Sequence, residues 1–136
     1  MKKIILCFLF LGPVLGLQAQ ADYKVVFDLT SGDSLDHIAV MRWVTGIAKA
    51  SPEAKLEVVM YGKGVHMVKH GGSPVEESVK QALQNKNISF KVCGVALKNQ
   101  GVDKNQLLPG VGIVEDGIYQ IILRQREGWG YIKAVH

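Results

Sequence analysis

Short strand-like runs alternate with helix-like segments through most of this chain, and that alternation narrows the folds it can adopt. The runs are rich in β-branched and aromatic residues, and they are separated by turn residues such as Gly, Pro, Ser, Asp and Asn. Because the runs are apolar almost throughout, they are typical of strands that are covered on both faces. The sequence therefore predicts an α/β fold: a single three-layer domain with a mostly parallel sheet of about five strands and helices on both faces. The predicted strands are residues 23–29, 56–61, 88–92, 111–114 and 129–134.

Helix-like patterns lie between these runs. Apolar residues recur at near-helical spacing over residues 35–50, and a Ser-Pro pair ends that helix. A second helix is predicted to start with Ser73 as its N-cap and Glu76 completing a capping box. Residues 118–125 fit either a helix or a β-branched strand, and a helix is preferred, with Gly128 as its stop.

The first 21 residues have the pattern of a secretory signal peptide. Lys2 and Lys3 precede a short apolar run over residues 4–17, and a small-residue A-x-A site ends at Ala21. The apolar run is too short to span a bilayer comfortably, and no stop-transfer pattern follows it. We therefore predict cleavage after Ala21, a single domain of residues 22–136, a periplasmic or secreted location, and no membrane segment once the signal is removed.

Removing that segment changes what the composition implies. The 136 residues become 115, and because Lys2 and Lys3 leave with it, the net charge falls from +4 to +2. No stripe of Arg and Lys remains to neutralise a run of phosphates, so nucleic acid is not a predicted partner. Cys7 leaves as well. Cys93 is then the one cysteine of the exported domain, and no internal disulfide can form.

In an open α/β sheet, ligands bind at the carboxyl ends of the strands. Three sequence features are predicted to meet there: the turn at residues 30–33, the turn from Gly62 to Gly64, and Cys93 with Gly94. The two turns offer flexible backbone beside a helix start, which can cradle an anion or a polar group. Neither carries a phosphate-binding fingerprint such as G-x-G-x-x-G, so ordinary strand-to-helix turns are the favoured interpretation.

Cys93 has two interpretations. An exposed thiol at a strand end, followed by Gly94 and a helix, would be favoured as a thiolate by the helix N-terminus and could act as a nucleophile or carry a persulfide sulfur. Alternatively, Cys93 is a small buried hydrophobe that completes the strand, because free cysteine is among the most buried residue types. The position alone does not separate the two. The sequence has no C-x-x-C pair, which excludes dithiol exchange within one chain.

Two histidines are candidates for metal or substrate contacts. His66 and His70 stand four residues apart, a spacing that puts both imidazoles on one face of a helix. A zinc site needs a third ligand, and no glutamate follows His66 as in H-E-x-x-H. Neither a metal nor a cofactor is therefore predicted, and two solvated histidines are favoured. His66 is expected near Cys93, whereas His37 is expected on the surface of the first helix.

In the order and spacing of four segments, the chain resembles the DsrE/DsrF-like family with the YchN-like fold, in particular its small exported members. The segments are VVFDLTSGD, LEVVMYGKGVHMV, ISFKVCGVAL and QREGWGYI, and the resemblance extends from about residue 23 to residue 133. It implies a parallel sheet of about five strands and association into trimers or hexamers. In some members a cysteine at the corresponding strand end carries sulfur as a persulfide, and Cys93 matches that position. His66 lies in the segment that approaches it.

The resemblance favours a functional thiol over a merely buried one. We expect an exported DsrE-like protein, acting as a sulfur carrier or sulfurtransferase through a persulfide on Cys93. Gly62, Gly64, His66 and Gly94 are the predicted substrate-binding residues. The predicted partners are further copies of the chain, in a trimer or hexamer, and a protein that donates or accepts sulfur. The alternative is a non-catalytic oligomeric module that binds a small ligand or a protein.

Overall fold

The structure is a computed structural model, and it describes residues 22–135. The predicted signal peptide lies outside the described residues. Within them, no helix has the length and apolar character needed to cross a membrane. The elements are β1 (Lys24–Leu29), α1 (Ser34–Ala50), β2 (Lys55–Met60), a 3₁₀ segment (Gly62–Val68), α2 (Glu76–Ala82), β3 (Ile88–Cys93), α3 (Gly94–Asn99), a short 3₁₀ turn (Lys104–Gln106), β4 (Gly112–Val114), α4 (Gly117–Arg126) and β5 (Gly130–Lys133).

The five strands form one fully parallel sheet in the order β4-β3-β2-β1-β5. Strands β1 to β4 step outward in one direction, α4 then returns across the sheet, and β5 pairs with the other side of β1. The predicted α/β class and five-strand parallel sheet are therefore confirmed. The ambiguous residues 118–125 are helical within α4, and Gly128, with a φ of 83°, follows the end of that helix.

The two faces of the sheet are covered unequally. One face carries the main core, where residues such as Phe27, Val58 and Phe90 pack against α1, α2, α3 and the 3₁₀ segment. On the opposite face α4 packs, and its buried apolar contact consists of Ile121 against Val26 and Val59, with the partly buried Tyr61 and Trp129 beside them. Strand alternation explains the difference, because successive residues point to opposite faces and the α4 face receives several polar side chains.

A buried ion pair fastens α4 to this second face. Glu57 of β2 is 1% exposed, and Arg124 of α4 binds both of its carboxylate oxygens, at 2.9 and 2.8 Å. Gln120 and Ser89 donate to the same carboxylate at 2.7 and 2.9 Å. Burial alone would raise the pKa of Glu57, but these hydrogen bonds outweigh it, and the pKa is lowered. Arg124 also lies 4.8 Å from the centre of the Trp129 ring.

The predicted capping box at Ser73 is wrong. The helix α2 begins at Glu76, and its N-cap is Val75, with no side-chain cap among the described residues. The Ser73 hydroxyl instead contacts the ring of His37 at 3.0 Å. The Glu76 carboxylate turns back to the backbone N–H of Gly71, at 2.8 Å. The same hydroxyl accepts from the backbone N–H of Val75 at 3.4 Å, before the helix starts, so it binds a residue distant in sequence and does not cap α2.

The expected surface position of His37 is also wrong. This residue is 1% exposed, and its Nε2 donates to the carbonyl oxygen of Ser31 at 3.0 Å. Its Nδ1 therefore accepts from the hydroxyl of Ser73. Burial lowers the pKa of His37, which keeps the imidazole neutral in the fold. The histidine joins the β1–α1 turn to the segment that leads into α2.

Candidate functional site

Cys93 lies at the carboxyl end of the sheet, at the junction of two elements. It is the last residue of β3 and the N-cap of α3, which starts at Gly94. Its thiol is free, and the residue is only 6% exposed. The structure therefore agrees with part of each sequence interpretation, because Cys93 is buried and also lines a cavity.

The cavity above Cys93 has a volume of about 220 Å³. It lies between the end of β2, the helix α3 and the start of α4. Its rim is partly apolar, with Val95 and Ile118 both exposed, and partly polar, with two carboxamides and one carboxylate. A space of this size holds several water molecules or a ligand of a few heavy atoms. The residues that line it are Tyr61, Gly62, Cys93, Val95, Ala96, Asn99, Gln100, Asp116 and Ile118.

Gly117, the first residue of α4, packs directly on the site. A Cβ placed there would lie 3.1 Å from the Cβ of Cys93 and 3.4 Å from the Cβ of Tyr61, so the close approach depends on a glycine. Asp116 caps the same helix, because its carboxylate accepts from the backbone N–H of Ile118 at 2.8 Å and of Tyr119 at 3.1 Å. The start of α4 is thereby fixed as one wall of the cavity.

The predicted binding glycines of the β2 turn have different surroundings. Gly62 lines the cavity and has a φ of 54°, a conformation that suits glycine. Gly64 is buried below it, where its N–H donates to the carbonyl oxygens of Thr30 and Tyr61 at 3.0 and 3.1 Å. A Cβ at Gly64 would collide with the carbonyl of Leu29. Of the two, only Gly62 is brought together with Cys93 around the cavity.

Gly94 faces a second groove rather than the Cys93 cavity. This groove has a volume of about 480 Å³ and lies on the other side of α3, bounded by β4. A Cβ at Gly94 would lie 3.3 Å from the carbonyl oxygen of Val114, so the glycine allows β3 and β4 to stay close where α3 begins. Val95 lines both spaces and separates them.

His66 reaches the cavity through another residue. Its Nε2 lies 3.3 Å from Oε1 of Gln100, and Gln100 lines the cavity. His70 has a different partner, with its Nδ1 3.3 Å from a carboxylate oxygen of Glu76. The two rings do not share a helical face, because residues 62–68 form a 3₁₀ segment rather than an α-helix and His70 lies beyond it. No group of three potential metal ligands occurs among residues 22–135.

A polar cluster adjoins the cavity behind Tyr61. The carboxylate of Asp28, on β1, accepts hydrogen bonds from the hydroxyls of Tyr131 and Tyr61 at 2.6 and 3.2 Å. Lys133 of β5 donates to its other oxygen at 3.1 Å and to the hydroxyl of Thr30 at 3.1 Å. Burial, together with the nearby Asp28 charge, raises the pKa of Tyr61 to about 12. The hydrogen bond to Asp28, with burial, raises that of Tyr131 to about 12. Both phenols are therefore hydrogen-bond donors at neutral pH.

Sequence reasoning missed several of these residues. Tyr61 is the last residue of a predicted strand and resembles any aromatic strand residue, and Gly117 resembles a turn glycine. Asp116 gave a readable signal, since an aspartate before a helix-like stretch is a typical N-cap. Gln100 and Asn99 carried no local pattern, and their place at the cavity depends on how α3 packs.

Comparison with known proteins places the fold and the family. Residues 24–134 match the model of the DsrE/DsrF-like family. A similar solved structure is the protein of unknown function MTH1491 from Methanobacterium thermoautotrophicum, with 30% identity, a TM-score of 0.76, and coverage of 82% of this chain and 99% of that chain. No curated protein matches.

Two more distant structures share the fold. The conserved protein of unknown function BT1422 from Bacteroides thetaiotaomicron has 17% identity and a TM-score of 0.65, with 82% of this chain and 94% of that chain covered. The ychN protein from E. coli has 13% identity and a TM-score of 0.70, with 82% and 98% covered. The family match spans all five strands and Cys93. The chain therefore belongs to the DsrE/DsrF-like family.

Proposed function

We propose that this protein is an exported sulfur carrier or sulfurtransferase that holds sulfur as a persulfide on Cys93. The observation that carries the proposal is the place of Cys93, a free thiol at the carboxyl end of β3 that lines a cavity beside two helix starts. The family is associated with sulfur relay, which supports the same chemistry.

The transfer needs no external oxidant. The Cys93 thiolate attacks the terminal sulfur of a donor persulfide, R–S–SH. A bond forms between Sγ and that sulfur, the S–S bond of the donor breaks, and its electron pair leaves with the R–S⁻ thiolate. In the second step the thiolate of an acceptor attacks the outer sulfur on Cys93, and Cys93 leaves as a thiolate. The sulfur atom moves twice, and each step exchanges one persulfide for another.

The start of α3 lies directly beside Cys93. The first N–H groups of α3 have no partners within that helix, and they begin at the residue after Cys93. Backbone N–H groups at a helix start favour negative charge. The cavity of about 220 Å³ leaves room for one added sulfur and the end of a donor or acceptor. His66 contributes by holding Gln100 at the cavity wall.

Mass spectrometry tests the proposal directly. Purified protein is treated with a small organic persulfide, digested, and searched for a Cys93 peptide heavier by one sulfur atom. We expect the adduct on Cys93, its loss on addition of an acceptor thiol, and neither result with Cys93→Ser. Absence of the adduct from the wild-type peptide, while a small thiol control takes up sulfur in the same mixture, would contradict the proposal.

The proposal includes a homo-oligomer, a trimer or hexamer. Apolar side chains are exposed on α3, β4 and α4, two of them at the Cys93 cavity, and a second copy would bury them. They are Val95 on α3, Ile113 on β4, and Ile118 and Ile122 on α4. Light scattering of the purified protein measures the mass in solution, and a monomer at micromolar concentration would contradict this part.

The proposal also includes export, which the pattern of residues 1–21 supports. N-terminal sequencing of the protein recovered from outside the cytoplasm is expected to start at Asp22. A recovered chain that starts at Met1 would contradict cleavage.

The second candidate is a non-catalytic binding module, and the burial of Cys93 favours it. In that case the cavity would hold a small ligand, and the thiol would complete its floor. Slow labelling of Cys93 in the folded protein, together with no sulfur adduct, would favour this role over sulfur transfer.

A further inference from the structure

The carboxylate of Asp28 is linked to the Cys93 cavity by one side chain, Tyr61. Asp28 is 4% exposed and lies on β1, two strands away from the cysteine on β3. Tyr61 follows β2, the strand between them, and its hydroxyl donates to Asp28 while the residue lines the cavity with Cys93. The tyrosine therefore binds the carboxylate and lines the cavity that Cys93 also lines.

Asp28 is held firmly enough to act as a fixed point. A buried carboxylate is unfavourable unless donors surround it. Here three donors do so: the hydroxyl of Tyr131 at 2.6 Å, the ammonium of Lys133 at 3.1 Å and the hydroxyl of Tyr61 at 3.2 Å. Two of the three come from β5, so the position of Asp28 does not depend on Tyr61 alone.

The ring of Tyr61 is fixed at both ends. At the hydroxyl end it meets Asp28, and the ammonium of Lys133 lies 5.6 Å from the ring centre. At the backbone end its Cβ lies against Gly117, as does the Cβ of Cys93. The hydroxyl is thus engaged by Asp28, while Tyr61 is one of the residues that line the cavity.

We propose that Asp28 is a positioning residue for Cys93, because its carboxylate holds Tyr61 as one wall of the cavity through which reagents reach the thiol. The inference rests on the proposed function, because a wall beside Sγ would shield a bound persulfide from water. Its geometry concerns only access to the thiol. Access can be measured whether or not Cys93 carries sulfur.

Two matched substitutions separate this role from a purely structural one. Tyr61→Phe and Tyr131→Phe each delete one hydroxyl that donates to the same oxygen of Asp28. Tyr131 makes the shorter bond but does not line the cavity, so its loss should affect stability at least as much without moving the cavity wall. If the hydrogen bonds to Asp28 only fastened β5 to the sheet, both variants would change the accessibility of Cys93 only as far as they lower the stability of the fold.

The experiment measures the rate of Cys93 alkylation by iodoacetamide in native buffer, with no sulfur donor present, beside urea unfolding of the same proteins. We expect Tyr61→Phe to accelerate alkylation about three- to tenfold, the change in population that one lost hydrogen bond typically produces. Tyr131→Phe should stay within about twofold of wild type. Asp28→Asn should accelerate alkylation in the wild-type background and add little in the Tyr61→Phe background, because it acts through that ring.

Equal acceleration by both tyrosine variants, or none by Tyr61→Phe, would overturn the inference. So would full additivity of Asp28→Asn with Tyr61→Phe. If Asp28→Asn fails to fold, the two tyrosine variants decide the question by themselves. Absence of a sulfur adduct with a changed alkylation rate would contradict the proposed function and leave the positioning role supported, so the two failures are distinguishable.

Discussion

The ion pair between Arg124 and Glu57 is expected to hold α4 on the sheet, and with it the wall that Gly117 provides beside Cys93. The substitution Arg124→Met keeps much of the side-chain length but leaves the carboxylate of Glu57 buried with two neutral donors. Removing one partner of a buried ion pair costs about 3–5 kcal/mol. The Arg124 side chain is 26% exposed while Glu57 is almost fully buried, so a loss of about 3 kcal/mol is expected.

The pH dependence of this loss tests its cause. In the wild-type fold the pKa of Glu57 is lowered, so the pair contributes stability that is present above the unfolded pKa and is lost as the pH falls through the folded one. Without Arg124, burial dominates and raises the pKa of Glu57 in the variant. The carboxyl then takes up a proton on acidification, which relieves the penalty. Urea unfolding at about pH 7 and about pH 4.5 should show that the difference between variant and wild type shrinks at the lower pH.

A surface cation provides the matched control. Lys80 pairs with Glu76 and Glu77 on the surface of α2, where solvent screens the charges, so Lys80→Met should lower the free energy of unfolding far less than Arg124→Met does. If Arg124→Met costs no more than Lys80→Met, or if its cost is the same at both pH values, the reasoning about a desolvated carboxylate is refuted. Cys93 alkylation should also be faster in Arg124→Met, because loosening α4 moves Gly117 away from the thiol.

Two further predictions concern the main core face. Burial lowers the pKa of His37, so this histidine contributes stability that is present above its usual pKa of 6.5 and is lost as the pH falls toward its pKa in the fold. Between pH 7 and pH 5, urea unfolding should therefore show a smaller decrease in the free energy of unfolding for His37→Gln than for wild type. Equal slopes would contradict a neutral buried ring. Gly64→Ala places a Cβ against the carbonyl of Leu29 and should destabilise the fold by about 3 kcal/mol or more. Gly46→Ala is the control, because a Cβ there meets open space among the described residues, and it should be neutral or stabilise the fold by up to about 1 kcal/mol. Chemical unfolding of both variants decides it, and similar behaviour of the two would show that the β2 turn relaxes easily.

The fold could be predicted because its signals are local and repeated. The strand core residues Phe27, Val58 and Phe90 belong to short runs rich in β-branched and aromatic residues, and such runs alternating with helix-like segments are typical of a parallel α/β sheet. The one ambiguous segment, residues 118–125, was resolved by packing. Ile121 points to the sheet, while Ile118 stays exposed, which a central strand would not allow.

The site could be predicted only where it coincides with a strand end. Cys93 and Gly62 each follow an apolar run, and parallel strands bring those ends together. Ser73 and His37 show why contacts between distant residues could not be predicted. Each was interpreted from its own neighbourhood in sequence, yet they bind each other across 36 positions. Local sequence propensities do not predict a contact between residues so far apart in the chain.

The unequal faces of the sheet reconcile a buried thiol with the proposed role in sulfur transfer. The main core face, with its many apolar side chains, carries most of the hydrophobic stabilisation of the fold. The face above Cys93 is covered by α4 through three buried apolar side chains and a polar network centred on Glu57. Polar networks fix geometry well but add less net stability than apolar burial of similar extent. We therefore expect local opening at the start of α4 to require less free energy than opening the main core, and to increase access to the Cys93 thiol while the rest of the sheet stays folded.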